Sequence, residues 1–211
     1  MEGRTRIKIC GMTEPVRARE AVAAGVDALG FIFAAASPRR VLPEQAREII
    51  ASLPPFVDAV GVFVNEEAGV VRDIAQYCGL TMLQLHGEED PDFCRSMPLR
   101  VMKAIRVGEH SLAADLGTYR GCVSAFLLDT YQPGIAGGTG ESFDWQLVAR
   151  LAPPAPVVLA GGLTPDNVGE AIARVRPFAV DFNSGLESAP GIKDSSLLRR
   201  AVAAVGRADG R

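Results

Sequence analysis

Long apolar runs are missing from this sequence: none approaches the roughly eighteen residues that a membrane span requires. The opening residues, MEGRTRIKICGM, also lack the apolar segment of a secretory signal. The chain also has no excess of positive charge, because its 22 Lys and Arg are outnumbered by 25 Asp and Glu. The basic residues are scattered singly or in pairs. We therefore expect a cytoplasmic protein that binds neither nucleic acid nor an anionic membrane.

Cysteine is scarce, and its spacing argues against two of its common roles. The four cysteines form no CxxC pair, and no histidine stands at metal-ligand spacing from them; they are Cys10, Cys78, Cys94 and Cys122. A reducing cytoplasm also disfavours disulfides. Cys10 closes an apolar run and precedes a glycine, so it is either a small buried hydrophobe or a catalytic thiol.

Linkers, low-complexity tracts and sequence-level repeats are absent as well. The 211 residues are more than an average domain, but a single α/β barrel commonly takes 200–250 residues. Hydrophobic residues make up 48% of the chain and charged residues 22%, both close to globular averages. We therefore predict one domain, residues 1–211, with a substantial core.

Eight short apolar runs recur along the chain: IKIC near 7, LGFIF from 29, VGVFV from 60, MLQL from 82, VMKAI from 101, AFLLD from 125, VVLAG from 157 and AVDFN from 179. The other segments with helical periodicity include EPVRAREAVAAG, PEQAREIIASL, EEAGVVRDIAQYCG, FDWQLVARLA, TPDNVGEAIARV and DSSLLRRAVAAVG. Eight alternating strand–helix units in about 200 residues predict a closed (β/α)8 barrel. A doubly wound open sheet is the alternative.

Reactive groups of such a barrel gather where the strands end, and the residues at those points are polar or small. The fifth run offers little. The other informative ends are Cys10-Gly11, the loop with Arg39, Asn65-Glu66, His86-Gly87, Asp129-Thr130, Gly161-Gly162 and Asn183-Ser184-Gly185. The glycines of the seventh and eighth ends predict a phosphate site, because they let backbone N–H groups approach a ligand. The alternative is that Gly161, Gly162 and Gly185 only supply positive φ for tight turns.

A thiol, a carboxylate and a guanidinium at these ends suggest proton transfer on a phosphorylated sugar. In that interpretation Cys10 is the base, Asp129 is the acid and Arg39 binds an anion. Each has a structural alternative: Cys10 fills the core, Asp129 caps the following segment through an Asx-turn, and Arg39 is a solvated loop charge. His86 has one as well, as a hydrogen-bonded structural histidine.

The combined motifs resemble the phosphoribosylanthranilate isomerase family. The resemblance runs in order from about Lys8 to Asp194 and rests on KICGMT, GFIFAAASPRRV, VGVFVNE, LQLHGEE, LLDT with GGTGESFDW, LAGGLTPDNV and VDFNSGLESAPGIKD. It implies a (β/α)8 barrel that performs an Amadori rearrangement of N-(5′-phosphoribosyl)anthranilate without metal or organic cofactor. The alternatives are another phosphosugar isomerase, epimerase or lyase on the same barrel, or an inactive barrel kept as a binding module.

The resemblance also implies roles for individual residues. Cys10 falls on the general base, Asp129 on the general acid and Arg39 on the contact to the anthranilate moiety. The implied partner is a small phosphorylated substrate, and the implied assembly is a monomer or a homodimer. Many family members have Ser-Ser-Gly where this chain has Asn183-Ser184-Gly185, so the detail of that contact differs here. The further substrate-binding positions are His86, Gly138, Gly161, Gly162, Asp181, Asn183, Ser184 and Gly185.

Overall fold

The structure, a computed structural model, describes residues 3–107, 116–129, 148 and 151–210. Eight parallel strands close into a barrel in chain order, from β1 to β8. The predicted barrel is confirmed, and the open sheet is wrong because β1 pairs with β8 as well as with β2. The strands are β1 Arg6–Ile9, β2 Ala28–Ile32, β3 Asp58–Phe63, β4 Met82–Leu85, β5 Arg100–Arg106, β6 Ala125–Asp129, β7 Val157–Ala160 and β8 Ala179–Phe182.

Helices follow the strands and cover the outside of the barrel. In the described part of the chain they are α1 Pro15–Ala23, α2 Pro43–Ala51, α3 Ala68–Cys78, α4 Pro91–Ser96, α5 Val168–Val175 and α6 Ser195–Ala208. Proline occupies the first turn of α1, α2 and α4, where its missing N–H costs nothing. The predicted helix FDWQLVARLA lies mostly outside the described residues. Among the described helices, none is long and apolar enough to cross a membrane.

Two hydrophobic layers explain why the strands are apolar on both faces. The larger layer packs the outer face of the barrel against the helices, through residues such as Ile9, Phe31 and Leu85. The smaller layer fills the barrel interior with side chains that include Met102, Ala104 and Leu127. Because side chains alternate along a strand, the interior also receives Lys8, Gln84 and Asp181, which are all buried.

A short hairpin after β8 was not predicted from the sequence. Residues Ser184–Leu186 form a 3₁₀ turn, and β9 (Glu187–Ala189) then pairs antiparallel with β10 (Ile192–Lys193). Gly191, between the two strands, has φ +84°. The hairpin lies beside the carboxyl end of β1, because Thr13 Oγ1 donates a 2.5 Å hydrogen bond to the Gly191 carbonyl. It therefore brings two charged residues, Glu187 and Lys193, to the mouth of the barrel.

Candidate active site

Cys10 lies directly after β1, at the carboxyl end of the barrel. Its N–H donates a 2.8 Å hydrogen bond to the Phe182 carbonyl at the end of β8. The side chain packs with Ile32 and Val62 inside the barrel, and only 4% of the residue is exposed. The position at a strand end agrees with the prediction, and neighbouring strands cover the thiol.

Gly11 turns the chain away from the thiol. Its φ is +72°, and a Cβ there would lie 2.9 Å from both Arg39 Cδ and Asn183 Oδ1. A side chain at this position would therefore be strained and would push two predicted site residues away. Glycine after Cys10 lets the loop after β2 and the end of β8 approach the end of β1.

Charged groups surround the Cys10 thiol. Burial raises the pKa of Cys10, and the ammonium group of Lys8 partly opposes this shift. Lys8 Nζ also donates a 2.6 Å hydrogen bond to Asp181 Oδ2, and both side chains are about 95% buried (5% and 6% exposed). Burial raises the pKa of the Asp181 carboxyl as well. The thiol therefore adjoins a buried ion pair in the barrel interior.

Asp129 ends β6 and lies near His86, the residue after β4. Asp129 Oδ2 and His86 Nε2 are 3.6 Å apart, too far for a hydrogen bond, and 22% of each side chain is exposed. Gln84 Nε2 lies 3.2 Å from His86 Nδ1. His86 thus has a structural partner on one ring nitrogen and the predicted acid near the other. The segment that Asp129 was predicted to cap lies outside the described residues.

Arg39 is not a solvated loop charge. Its Nε donates to both oxygens of Glu187, at 2.9 and 3.0 Å, and its Nη2 donates at 2.7 Å. The Glu187 side chain is 4% exposed and also accepts a 2.6 Å hydrogen bond from Lys193 Nζ, whose side chain is fully buried. Burial acts against the charged carboxyl, but the hydrogen bonds from Arg39 and Lys193 hold the pKa of Glu187 below its ordinary value.

Lys193 also fixes the end of β8. Its Nζ donates to Asn183 Oδ1 at 2.9 Å and to the Asn183 carbonyl at 3.2 Å. The residue that departs from the family pattern is therefore held in the same ionic network as Arg39. Burial lowers the pKa of Lys193 although Glu187 favours its charged form.

Glycine occurs in the turns after β7 and β8 for two different structural reasons. Gly161 and Gly162 have φ values of +95° and +63°, so positive φ accounts for glycine at both positions, and the phosphate site at this turn stays a prediction. The positive-φ interpretation is wrong for Gly185, which does not have positive φ; there a Cβ would collide with the Leu163 carbonyl. The turns after β7 and β8 are therefore in close contact with each other. The space around a Cβ at Gly162, by contrast, is open. Ser184 is exposed beside them, and Gly138 lies outside the described residues.

Sequence reasoning missed four buried charged residues near these groups: Lys8, Glu187, Lys193 and Lys103. A lysine inside an apolar strand, as in IKIC and VMKAI, is the signal that could have found two of them. β5 carries the buried residue Lys103. Its side chain alternates with Met102 and Ala104 along the strand, so it faces away from the barrel interior. Within the described residues, no cluster of three or more His, Cys, Asp or Glu side chains is placed to hold a metal ion.

Barrel enzymes place their reactive groups at the carboxyl ends of the strands, and here those ends carry a thiol, a carboxylate and a fixed guanidinium. The fold and this placement define a (β/α)8-barrel enzyme. The family model described as N-(5'phosphoribosyl)anthranilate (PRA) isomerase matches residues 7–204. The chain therefore belongs to the phosphoribosylanthranilate isomerase family, and it is an isomerase of the Amadori type.

Individual relatives agree with the family assignment. N-(5'-phosphoribosyl)anthranilate isomerase from Trichlorobacter lovleyi is 51% identical over 198 residues, covering 93% of this chain and 96% of the relative. The crystal structure of phosphoribosyl anthranilate isomerase from Thermotoga maritima is 44% identical with a TM-score of 0.88, covering 98% of this chain and 100% of that one. A structure of the enzyme with reduced 1-(o-carboxyphenylamino)-1-deoxyribulose 5-phosphate is 41% identical with a TM-score of 0.83, at the same coverage.

Proposed function

We propose that this chain converts N-(5′-phosphoribosyl)anthranilate into 1-(2-carboxyphenylamino)-1-deoxyribulose 5-phosphate for tryptophan biosynthesis, with Cys10 as general base and Asp129 as general acid. The observation that carries the proposal is the position of these two residues at the carboxyl ends of β1 and β6, across the mouth of one closed barrel. A relative solved with the reduced product supports the same substrate class.

Asp129 acts first in the proposed reaction. Its carboxyl proton goes to the ring oxygen of the furanose as the C1′–O bond breaks and the bond electrons move to that oxygen. The nitrogen lone pair forms the C1′=N bond, so the opened sugar is an iminium ion and Asp129 is left as a carboxylate. The neighbouring His86 stabilises that carboxylate electrostatically when it is protonated.

Cys10 acts second. Its thiolate takes the proton from C2′, and the electron pair of the broken C–H bond forms the C1′=C2′ double bond. The iminium electrons return to nitrogen, which gives a neutral enolamine and a Cys10 thiol. The enolamine then tautomerises to the ketone, with loss of the C2′ hydroxyl proton and gain of a proton at C1′. The positive iminium favours the thiolate, which is why ring opening precedes proton removal.

Arg39 binds the carboxylate of the anthranilate ring in this proposal. Glu187 engages the Nε–Nη2 edge of the guanidinium, so a substrate carboxylate would bind at the Nη1–Nη2 edge. The ion pair with Glu187 holds the guanidinium in place before substrate arrives. A fixed guanidinium loses less side-chain entropy on binding than a mobile one.

The turns after β7 and β8 bind the phosphate in this proposal. Open space at Gly162 and the close approach at Gly185 are consistent with backbone groups that surround a small anion. Asn183 and Ser184 would contact the sugar phosphate from β8, and Gly138 from the loop after β6. Asp181, which is bonded to Lys8 below the mouth, stays a predicted substrate contact. We further propose a single domain over residues 1–211, a cytoplasmic location and a monomer or homodimer.

Turnover of anthranilate ribotide, measured with and without a chelator, tests the proposal. We expect full activity in both conditions, and its loss with the chelator would point to a metal-dependent sugar-phosphate reaction instead. Cys10→Ala should abolish turnover, while Cys94→Ala, a matched change at another buried thiol, should keep it. A fully active Cys10→Ala enzyme would return Cys10 to the status of a packing residue.

Alkylation by iodoacetamide provides a second test of the base. Activity should fall in step with labelling of Cys10, faster at higher pH because the thiolate is the reactive form. Cys78 and Cys94 lie on the outer helices α3 and α4, away from the mouth of the barrel, so any labelling there should not follow the loss of activity. A product analogue should protect Cys10. Peptide mapping that finds full activity with Cys10 alkylated would contradict the mechanism.

A further inference from the structure

Lys8 has no role in the reaction proposed above, although it is one of the most buried charged groups in the described structure. It stands two residues before Cys10 on β1, so both side chains face the barrel interior. Only 4% of Lys8 is exposed, and its ammonium group is held by Asp181 Oδ2 at 2.6 Å. Keeping a charged lysine in a barrel core is costly, and a function for that charge would explain it.

Gly30 shows how close the ammonium group is to the thiol. A Cβ built on Gly30 would lie 2.8 Å from Cys10 Sγ and 3.2 Å from Lys8 Nζ. Both atoms therefore flank the same point of β2, and any side chain at position 30 would push against them. Glycine in the middle of a strand lowers stability. The close approach of these two groups explains why glycine is nevertheless found at position 30.

Lys8 also has the strongest favourable electrostatic effect on the thiolate. Burial raises the pKa of Cys10, and the ammonium charge of Lys8 opposes this shift. Asp181 acts in the same direction as burial. The remaining charged groups that act on the thiol from neighbouring elements are Lys193 on β10 and Arg39 in the loop after β2.

We infer that Lys8 is the positioning residue of the general base: its ammonium group, held by Asp181, supports the Cys10 thiolate that removes the C2′ proton. The inference rests on the proposed role of Cys10 and assigns a partner to it. Asp181 has its own part, because an unpaired lysine would give up its proton when buried, whereas the carboxylate keeps Lys8 charged. Asp181 Oδ1 has no hydrogen-bond partner among the described residues, and Lys8 donates to the other carboxylate oxygen, Oδ2.

Titration of the Cys10 thiolate tests the inference. The ultraviolet absorbance of the thiolate is followed against pH in the complete protein, and the titration of the same variant with Cys10→Ala is subtracted. In Lys8→Met the midpoint should rise, so that the thiolate fraction at neutral pH falls about tenfold or more, as expected on losing an adjacent opposite charge. In Lys8→Arg, which keeps the charge, most of the thiolate fraction should remain.

Lys8→Met leaves Asp181 unpaired and can prevent folding, so the double variant Lys8→Met/Asp181→Asn carries the decisive measurement. It buries no unpaired charge, and its midpoint should still rise because the ammonium group of Lys8, and not the Asp181 carboxylate, flanks Gly30 together with the thiol. The matched control is Lys103→Met/Glu89→Gln, which removes a buried lysine–carboxylate pair on the outer side of the barrel, with side chains 2% and 3% exposed. This control should leave the Cys10 midpoint unchanged.

The outcomes separate this inference from the proposed function. If Cys10→Ala is inactive but the folded double variant titrates at the wild-type midpoint, the role of Lys8 is overturned and the role of Cys10 stands. A midpoint that rises equally in Lys8→Arg would also overturn it, because charge would not be the cause. If Cys10→Ala keeps full turnover, the proposed base fails, whatever the titration shows.

Discussion

Two of the buried lysine–carboxylate pairs in the described structure lie on opposite sides of the barrel wall, and they are satisfied to different degrees. Lys103 and Glu89 lie on the outer side, where Lys103 Nζ donates to Glu89 Oε2 at 2.9 Å and to the Gly87 carbonyl at 2.6 Å. Glu89 also accepts from the backbone N–H groups of Asn65 and Gly87, at 2.8 and 2.9 Å. This pair ties the ends of β3, β4 and β5 together.

The inner pair has fewer partners. Lys8 and Asp181 share one 2.6 Å hydrogen bond, and Asp181 Oδ1 is unpartnered among the described residues. Burial raises the pKa of Asp181, whereas bonds from Lys103 and the backbone outweigh burial and lower the pKa of Glu89. The difference teaches that the two pairs are built differently, the outer one with full hydrogen bonding that suits a structural role and the inner one incomplete beside the thiol, as the proposed role of Lys8 requires.

The largest expected effect is on the inner side and concerns catalysis. Asp129→Asn should lower kcat by about 10²–10⁴-fold with little change in thermal midpoint, because an amide cannot donate a comparably acidic proton. Steady-state kinetics and thermal unfolding measure the two quantities. Asp92→Asn, at a side chain 87% exposed, is the control that should change neither. Near-normal kcat in Asp129→Asn would remove this residue from the mechanism.

Next in size is a loss of stability on the outer side. Lys103→Met should lower the free energy of unfolding by about 3–5 kcal/mol, because it leaves the buried Glu89 carboxylate without its cation. Urea unfolding followed by circular dichroism measures the change. The kcat of the folded fraction should change far less than in Asp129→Asn. A variant of wild-type stability would mean that the backbone N–H groups alone satisfy Glu89.

Arg39→Lys should have a smaller effect, confined to substrate use. An ammonium group cannot reproduce the planar fork that Glu187 holds, so kcat/KM should fall by about tenfold to a hundredfold. The thermal midpoint should change little by comparison, because Glu187 keeps its bond to Lys193. Unchanged kinetics would show that Arg39 serves only to hold the hairpin.

The smallest expected effect is a difference in acid sensitivity. The pKa of Glu89 is lowered in the folded state, so its stabilisation is full above the unfolded value, near 4.3, and is lost as pH falls through the folded value. The wild-type free energy of unfolding should therefore fall as the pH drops below about 5, and Glu89→Gln should fall less steeply. Equal slopes would show that Glu89 does not contribute to acid unfolding. Asp181 has the opposite sign, because protonation relieves its burial.

Sequence patterns predicted the strands and strand ends well, because apolar period and glycine placement are local properties. Cys10, His86 and Asp129 could be placed at strand ends for that reason. The hairpin of β9 and β10 could not, since two strands of three and two residues carry almost no periodic signal. The ionic partners were also beyond reach: Lys8 and Asp181 are 173 residues apart, and Arg39 and Glu187 are 148 apart. No local pattern encodes such pairs.

The hydrogen bond from Cys10 to Phe182 joins the first strand to the eighth, so the proposed base sits at the seam where the barrel closes. During synthesis on a ribosome, Cys10 is among the first residues made. Asp181, Glu187 and Lys193 are made only when nearly the whole chain is complete. Contacts this distant in sequence form late and slowly. The site is therefore complete only after the whole barrel has folded. A nascent chain that lacks β8 contains Cys10 without the charged residues that surround its thiol in the complete barrel.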